Sequence, residues 1–218
     1  MIWNGGVILY NKLYFDKWAG DYDESILKAI DKYPFEKYYE VLSTVINKGE
    51  LQENDIIIDI GIGTGTLSQP LYDKGFKIIG LDFSEEMLKK AKKKMPDIIT
   101  FQYNMKNDML DEIKKYKPTK ALTTYAIHHL NFNEKIRFIE NILFDILEES
   151  GILVIGDVSF KTQEELDLCR LGVGKYWDEQ EDYLVADKLI NRLKKHNVFG
   201  EYTKIGNCAG VLVCRRIK

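Results

Sequence analysis

Cysteine is scarce in this chain. Three occur in 218 residues, at 169, 208 and 214, an odd number without metal-ligand spacing, which excludes a disulfide framework and a thiolate metal cluster. Only four prolines occur, and no Pro-rich or Gly/Ser-rich linker interrupts the chain, so one domain is expected. No apolar run approaches the ~20 residues needed to span a bilayer. The opening MIWNGGVILYNKLYF lacks the basic and apolar regions of a secretory leader, and a cytoplasmic protein is expected. A strong excess of one charge is missing too: 31 basic residues face 34 acidic ones, a net charge of −3, which gives no electrostatic footprint for nucleic acid. Histidine is limited to three residues, with no HxH or HxxxH spacing, so no metal site is expected.

What is present is an alternation of short apolar runs with helical periodicity. Residues 55–60 (DIIIDI) are β-branched and nearly continuous, as a strand covered on both faces requires. Further strands are expected at 77–81, 98–103, 121–125 and 152–157. Helices are expected at 34–47, with Pro34 in the first turn, at 67–74, after a Ser84 cap, at 133–147 and at 183–196. Two last strands, 201–206 and 211–217, close the chain. The pattern predicts an α/β fold: a Rossmann-like doubly wound sheet of five parallel strands plus a C-terminal antiparallel hairpin, with helices on both faces. Within 1–218, residues 1–33 read as an N-terminal helical lid segment and 34–158 as the ligand-binding core. Residues 159–182 read as a lid-like insertion, and 183–218 as a C-terminal helix and hairpin. Ligands of such sheets lie beyond the carboxyl ends of the strands, where chain order reverses.

The chemistry concentrates in the run Asp59-Ile60-Gly61-Ile62-Gly63-Thr64-Gly65-Thr66. An acid ends a buried strand, and glycines follow at every second position, where the chain must turn sharply and a ligand can approach bare backbone. Backbone N–H groups near the start of the following helix are expected to face an anionic group such as an amino-acid carboxylate. Asp82 follows Gly61 by 21 residues, at the end of the second strand, a spacing that suits a carboxylate accepting the two hydroxyls of a ribose. A dinucleotide fingerprint wants its third glycine at the position of Thr66, so the pattern tilts away from a nicotinamide dehydrogenase.

These residues resemble the class I methyltransferase family. The matching pieces are DIGIGTGTLSQPL at 59–71, IIGLDFSEEMLKKAKKKM at 78–95, TTYAIHHL at 123–130 and the opening FDKWAGDYD at 15–23. The small bacterial, YrrT-like group is the nearest. The resemblance implies S-adenosyl-L-methionine as cofactor and S-adenosyl-L-homocysteine as its product. It implies that Asp59, Gly61, Gly63 and Gly65 surround the methionine part, that Asp82 binds the ribose, and that Phe83 lies beside the adenine. Where the family usually has an acid for the adenine amine, this chain has Asn104, whose amide oxygen accepts without charge assistance. Asp108 is a substitute further along.

Methyl transfer from a sulfonium needs alignment and exclusion of water more than a triad, and none is found. His128 and His129 follow the fourth strand. In an extended segment they would point apart, with at most one facing the cleft, and His129 is the candidate catalytic residue. Trp18 and Tyr22 are expected to cover the cofactor, Tyr125 to line the cleft, and Tyr176 with Trp177 to form an exposed pair on an acceptor lid. TTYAIHH carries neither the Asn/Asp-Pro-Pro-aromatic tetrapeptide of exocyclic base methylation nor a Pro-Cys nucleophile. A small-molecule methyl acceptor is therefore expected. A non-catalytic cofactor-binding sensor or partner subunit is the alternative.

Overall fold

The computed structural model describes residues 32–107 and 111–217. Trp18, Tyr22 and Asp108, with residues 1–31 of the N-terminal lid segment expected over 1–33, lie outside the described residues.

The strands are β1 (Ile56–Ile60), β2 (Lys77–Asp82), β3 (Ile99–Gln102), β4 (Lys120–Thr124), β5 (Ile152–Phe160), β6 (Leu184–Val185), β7 (Val198–Lys204) and β8 (Ala209–Arg216). The main path of the sheet runs β3-β2-β1-β4-β5-β8-β7, and the two-residue β6 pairs with β5 off that path. Strands β1 to β5 are parallel, while β8 is antiparallel to both β5 and β7. The expected fold class is therefore the observed one. Chain order reverses between β1 and β4, which puts the switch-point crevice at their carboxyl ends.

Each face of the sheet carries its own core, because successive side chains of a strand point to opposite faces. Ile57 joins Leu71, Leu88, Leu122 and Val154 on one face. There α1 (Tyr38–Lys48), α2 (Gln69–Tyr72) and α3 (Glu85–Lys94) pack. Ile58 and Ile60 join Ile79, Leu153, Ile139 and Leu189 on the other, under α4 (Phe132–Glu140) and α6 (Ala186–Lys194). Each fully buried aliphatic side chain contributes roughly 1.5–3 kcal/mol. Ile139→Ala alone would cost about 2–5 kcal/mol.

Some element bounds differ from expectation for local reasons. Pro34 lies in a turn before α1, and the helix starts only after Lys37, which takes a left-handed φ of 57°. The 133–147 helix begins at Phe132 with a reciprocal capping box between Asn131 and Glu134. It stays α-helical to Glu140 and then widens into a π-turn over Asn141–Ile146. Strand β5 runs on to Phe160 because β8 and then β6 keep its edge paired. Within the polar 159–182 stretch, α5 (Gln163–Val173) forms behind a Thr162 cap and buries none of its residues.

Candidate functional site

Strand ends β1, β2 and β4 surround two cavities that share Gly61. One, of about 360 Å³, is lined by Asp82, Phe83, Asn104, Met105 and His129 with Gly61. The other, of about 160 Å³, is lined by Tyr38, Gly63, Thr64, Thr66 and Tyr125 with Gly61. A larger cavity, about 880 Å³, opens beside Lys77 and Ile99, at the amino ends of β2 and β3 and away from this edge.

The three glycines of the turn do different work, although all have positive φ. A Cβ on Gly63 would meet nothing within 4 Å, whereas on Gly61 it would come 2.9 Å from Ala126 Cβ. On Gly65 it would run into Met95 Cε. Gly63 thus leaves open space for a ligand, while Gly65 lets α3 pack against the turn. Four N–H groups of the turn are already engaged. Gly61 and Ile62 N–H donate to Leu81 O, Gly65 N–H donates to Ile62 O, and Gly63 N–H donates to Asp82 Oδ2. An anion would have to displace these bonds.

Asp82 is buried, yet it faces the larger of the two shared cavities. Its Oδ2 accepts from Gly63 N–H at 2.8 Å and its Oδ1 from Ser84 N–H at 2.9 Å, while Ser84 Oγ caps α3. One carboxylate thereby ties the glycine turn to the start of the next helix. Each oxygen keeps acceptor capacity for a further donor. Phe83 is exposed at the cavity rim, 69% of its surface open. Asn104 lines the same cavity, but its Oδ1 already accepts from Lys106 N–H at 3.0 Å, a local turn that competes with the expected adenine contact.

Asp59 does not line either cavity. It is buried behind the turn, with Oδ2 accepting from Ser68 Oγ at 2.6 Å and Oδ1 without a hydrogen-bond partner. Burial raises its pKa to about 7, the Ser68 bond opposes that, and the nearby Asp82 charge adds to it. Tyr125 sits at the end of β4 with φ of 50°, stacked on Tyr38 at 5.1 Å. A non-glycine residue in this region is uncommon and marks a constrained position. Its buried hydroxyl has no hydrogen-bond partner, and burial holds its pKa well above the usual phenol value.

His128 and His129 do not point apart. Ile127–His129 is a 3-10 turn rather than an extended segment, and the two rings meet edge to face at 4.2 Å. His128 Nδ1 lies 2.6 Å from Asp157 Oδ1. Asp157 is buried in β5 and also accepts from the N–H groups of Ala126, Ile127 and Val158. Burial pulls the His128 pKa down, but the Asp157 carboxylate and its hydrogen bond outweigh that and leave it raised. Glu181 arrives from the 159–182 stretch, with Oε2 3.2 Å from His129 Nδ1 and 3.9 Å from His128 Nε2.

A buried lysine fixes that arrival. Lys135 Nζ donates to Leu130 O, to Asp182 O and, at 2.9 Å, to Asp182 Oδ1. Asp182 N–H donates to His128 O at 3.0 Å. Trp177 is not an exposed lid partner of Tyr176: it packs on Tyr33, Phe160 and Tyr183, while Tyr176 stays exposed. Trp177, Glu181 and Tyr183 line a further cavity of about 480 Å³. Asp157, Glu181 and Lys135 were not singled out by sequence. Asp157 carries the same signal as Asp82, an acid near a strand's carboxyl end, whereas Glu181 has no local signal.

A reversed-order parallel sheet with a glycine turn and an acid at successive strand ends defines a Rossmann-like nucleotide-binding protein. The sequence comparisons narrow this. Residues 57–151 match the family model described as a methyltransferase domain. An uncharacterised methyltransferase of Alkaliphilus oremlandii is 32% identical over 157 residues, 71% of this chain and 70% of that protein. One from Oceanobacillus iheyensis is 28% identical over 213 residues, 93% and 96% of the two chains. The chain belongs to the class I methyltransferase family, whose methyl donor is S-adenosylmethionine. These matches establish the family and not the narrower YrrT-like group.

Solved structures agree on the fold. Magnesium protoporphyrin IX methyltransferase from Synechocystis PCC 6803, with bound SAH, superposes with a TM-score of 0.63 at 16% identity, covering 95% of this chain and 96% of that one. An O-methyltransferase family protein from Burkholderia thailandensis gives 0.66 at 12% identity, covering 97% and 64%.

Proposed function

We propose that this chain moves a methyl group from S-adenosylmethionine to a small-molecule acceptor, with the donor lying across the carboxyl ends of β1, β2 and β4. The observation that carries this reading is the pair of cavities joined at Gly61, one bounded by Asp82 and the other by Tyr125. In this reading the spare lone pairs of Asp82 accept the ribose hydroxyls, Phe83 covers the base and Asn104 flanks it. The open space at Gly63 receives the amino-acid tail, and Asp59 backs the turn that holds it. The otherwise unpartnered Tyr125 hydroxyl donates into the methionine cavity.

When bound, the donor supplies a methyl already activated by the sulfonium, so no acid is needed for its departure. The chain's own residues then have two tasks, aligning the acceptor and keeping water out. His129, half exposed on the rim beside Glu181, orients the acceptor. A small acceptor suits the volume, about 480 Å³, of the cavity lined by Trp177 and Tyr183 and the absence of net positive charge.

Titration calorimetry with S-adenosylhomocysteine tests the reading. Asp82→Ala should weaken binding about ten- to a hundredfold, since hydrogen bonds to a charged acceptor contribute roughly 1.5–3 kcal/mol. No binding by the folded wild type would sink it. The occupied Asn104 oxygen favours a second reading, a sensor that holds the donor without turnover. Tight binding with no S-adenosylhomocysteine released across a broad metabolite panel would select that reading.

A further inference from the structure

The two histidines and the glutamate that meets them form a set that the sheet edge does not need. We propose that His128 Nε2, His129 Nδ1 and Glu181 Oε2 bind a divalent transition-metal ion of the Zn²⁺ type. The sequence spacing argued against any such site because the third ligand comes from a distant segment.

The donor atoms already stand near coordination distance. All three lie within 4.8 Å of one another, with the carboxylate 3.2 Å and 3.9 Å from the two ring nitrogens. Ligands about 2.1 Å from one tetrahedral ion stand about 3.4 Å apart. Small side-chain rotations suffice.

His128 Nδ1 faces the Asp157 carboxylate at 2.6 Å, which turns Nε2 toward Glu181, the carboxylate–histidine arrangement that orients and strengthens metal ligands. Glu181 Oε2 is buried and makes no hydrogen bond. A buried acceptor without a hydrogen bond is costly, and a cation between it and the two rings would relieve that cost. The charges facing the pair are the carboxylates of Asp157 and Glu181, with Lys135 nearby. Lys135 is engaged by Asp182, so the neighbourhood favours a cation. The Lys135–Asp182 bond also holds Glu181 in register.

Three protein ligands leave a coordination position open. His129 borders the Asp82 cavity and Glu181 borders the Trp177 cavity, so the open position lies where the two approach. Its natural occupant is an anionic oxygen, such as an acceptor carboxylate or enolate. That last assignment rests on the methyl-transfer reading. Ion binding does not.

The test uses the purified full chain without donor, titrated with Zn²⁺ against a chromophoric chelator, with Co²⁺ absorption as a second readout. One ion per chain is expected, with Co²⁺ bands characteristic of nitrogen and oxygen ligands. Glu181→Gln and His129→Ala should each weaken binding at least tenfold. The first is isosteric and the second sits on a side chain about half exposed, and circular dichroism verifies that both fold. No ion bound, or equal affinity in the variants, overturns the proposal. S-adenosylhomocysteine is titrated in parallel. Zinc bound without the nucleoside supports the ion site and overturns only the donor reading.

Discussion

Asp59→Asn should change how stability depends on pH, and the size of the change follows from burial. Burial pushes the native carboxyl up to about 7, against the ordinary aspartate value of 3.8. Between those values the native state holds a proton that the unfolded chain has released. Unfolding therefore releases a proton, and rising pH favours the unfolded chain. The group's destabilising effect is nearly absent below about pH 4, grows through the window, and levels off above pH 7. Integrating the two titrations gives a loss of roughly 2.5 kcal/mol between about pH 5 and about pH 8. Asparagine carries no such titration and keeps an oxygen for the Ser68 hydroxyl. Urea midpoints of both proteins, read at those two pH values, isolate the effect because every other carboxyl group is common to both. The variant should gain roughly 2.5 kcal/mol on the wild type as pH rises. A difference that stays constant with pH would refute the reasoning.

The glycines offer a second separation. Gly63→Ala should cost about 1–2 kcal/mol of stability from its left-handed backbone alone. Its S-adenosylhomocysteine affinity should fall further than that, by calorimetry. Gly65→Ala should chiefly lower the melting temperature, because Met95 must move. Tyr125→Phe should leave the ligand-free protein as stable as the wild type or about 1 kcal/mol more so, since it removes a buried hydroxyl without a partner. The same variant should lose about 1 kcal/mol in affinity for the donor analogue if the hydroxyl donates to it. Lys135→Ala should cost about 1–3 kcal/mol by leaving the carbonyls of Leu130 and Asp182 without their buried donor, water taking over at the half-exposed Asp182 carboxylate. Thermal unfolding checks it, and a melting temperature within a degree of the wild type would contradict the burial argument.

The sheet was legible because its strands obey simple rules. DIIIDI has to be covered on both faces, and Ile57 and Ile58 do belong to opposite cores. The glycine turn and Asp82 were legible for the same reason: their spacing reflects one strand, one turn and one helix. The histidine turn was misread because alternation presumes an extended chain, and the backbone at Ile127–His129 instead coils tightly. The partners of the glycine turn's N–H groups, Leu81 O, Ile62 O and the Asp82 carboxylate, were not legible because sequence does not display what lies behind a loop. Glu181 was invisible. Its place depends on Lys135, a residue that reads as solvated helix surface yet is 1% exposed.

The position of β8 has a consequence for synthesis of the chain. Made after every other described strand, it does not extend the sheet but slots between β5 and β7, with seven residue pairs on each side. Until it leaves the ribosome, the edge of β5 from Ile152 to Val158 is bare and β7 has no partner. A nascent molecule at that stage offers a long apolar rim to any neighbouring strand. Translational pausing shortly before residue 209 would thus expose the protein to aggregation more than pausing anywhere upstream of β5.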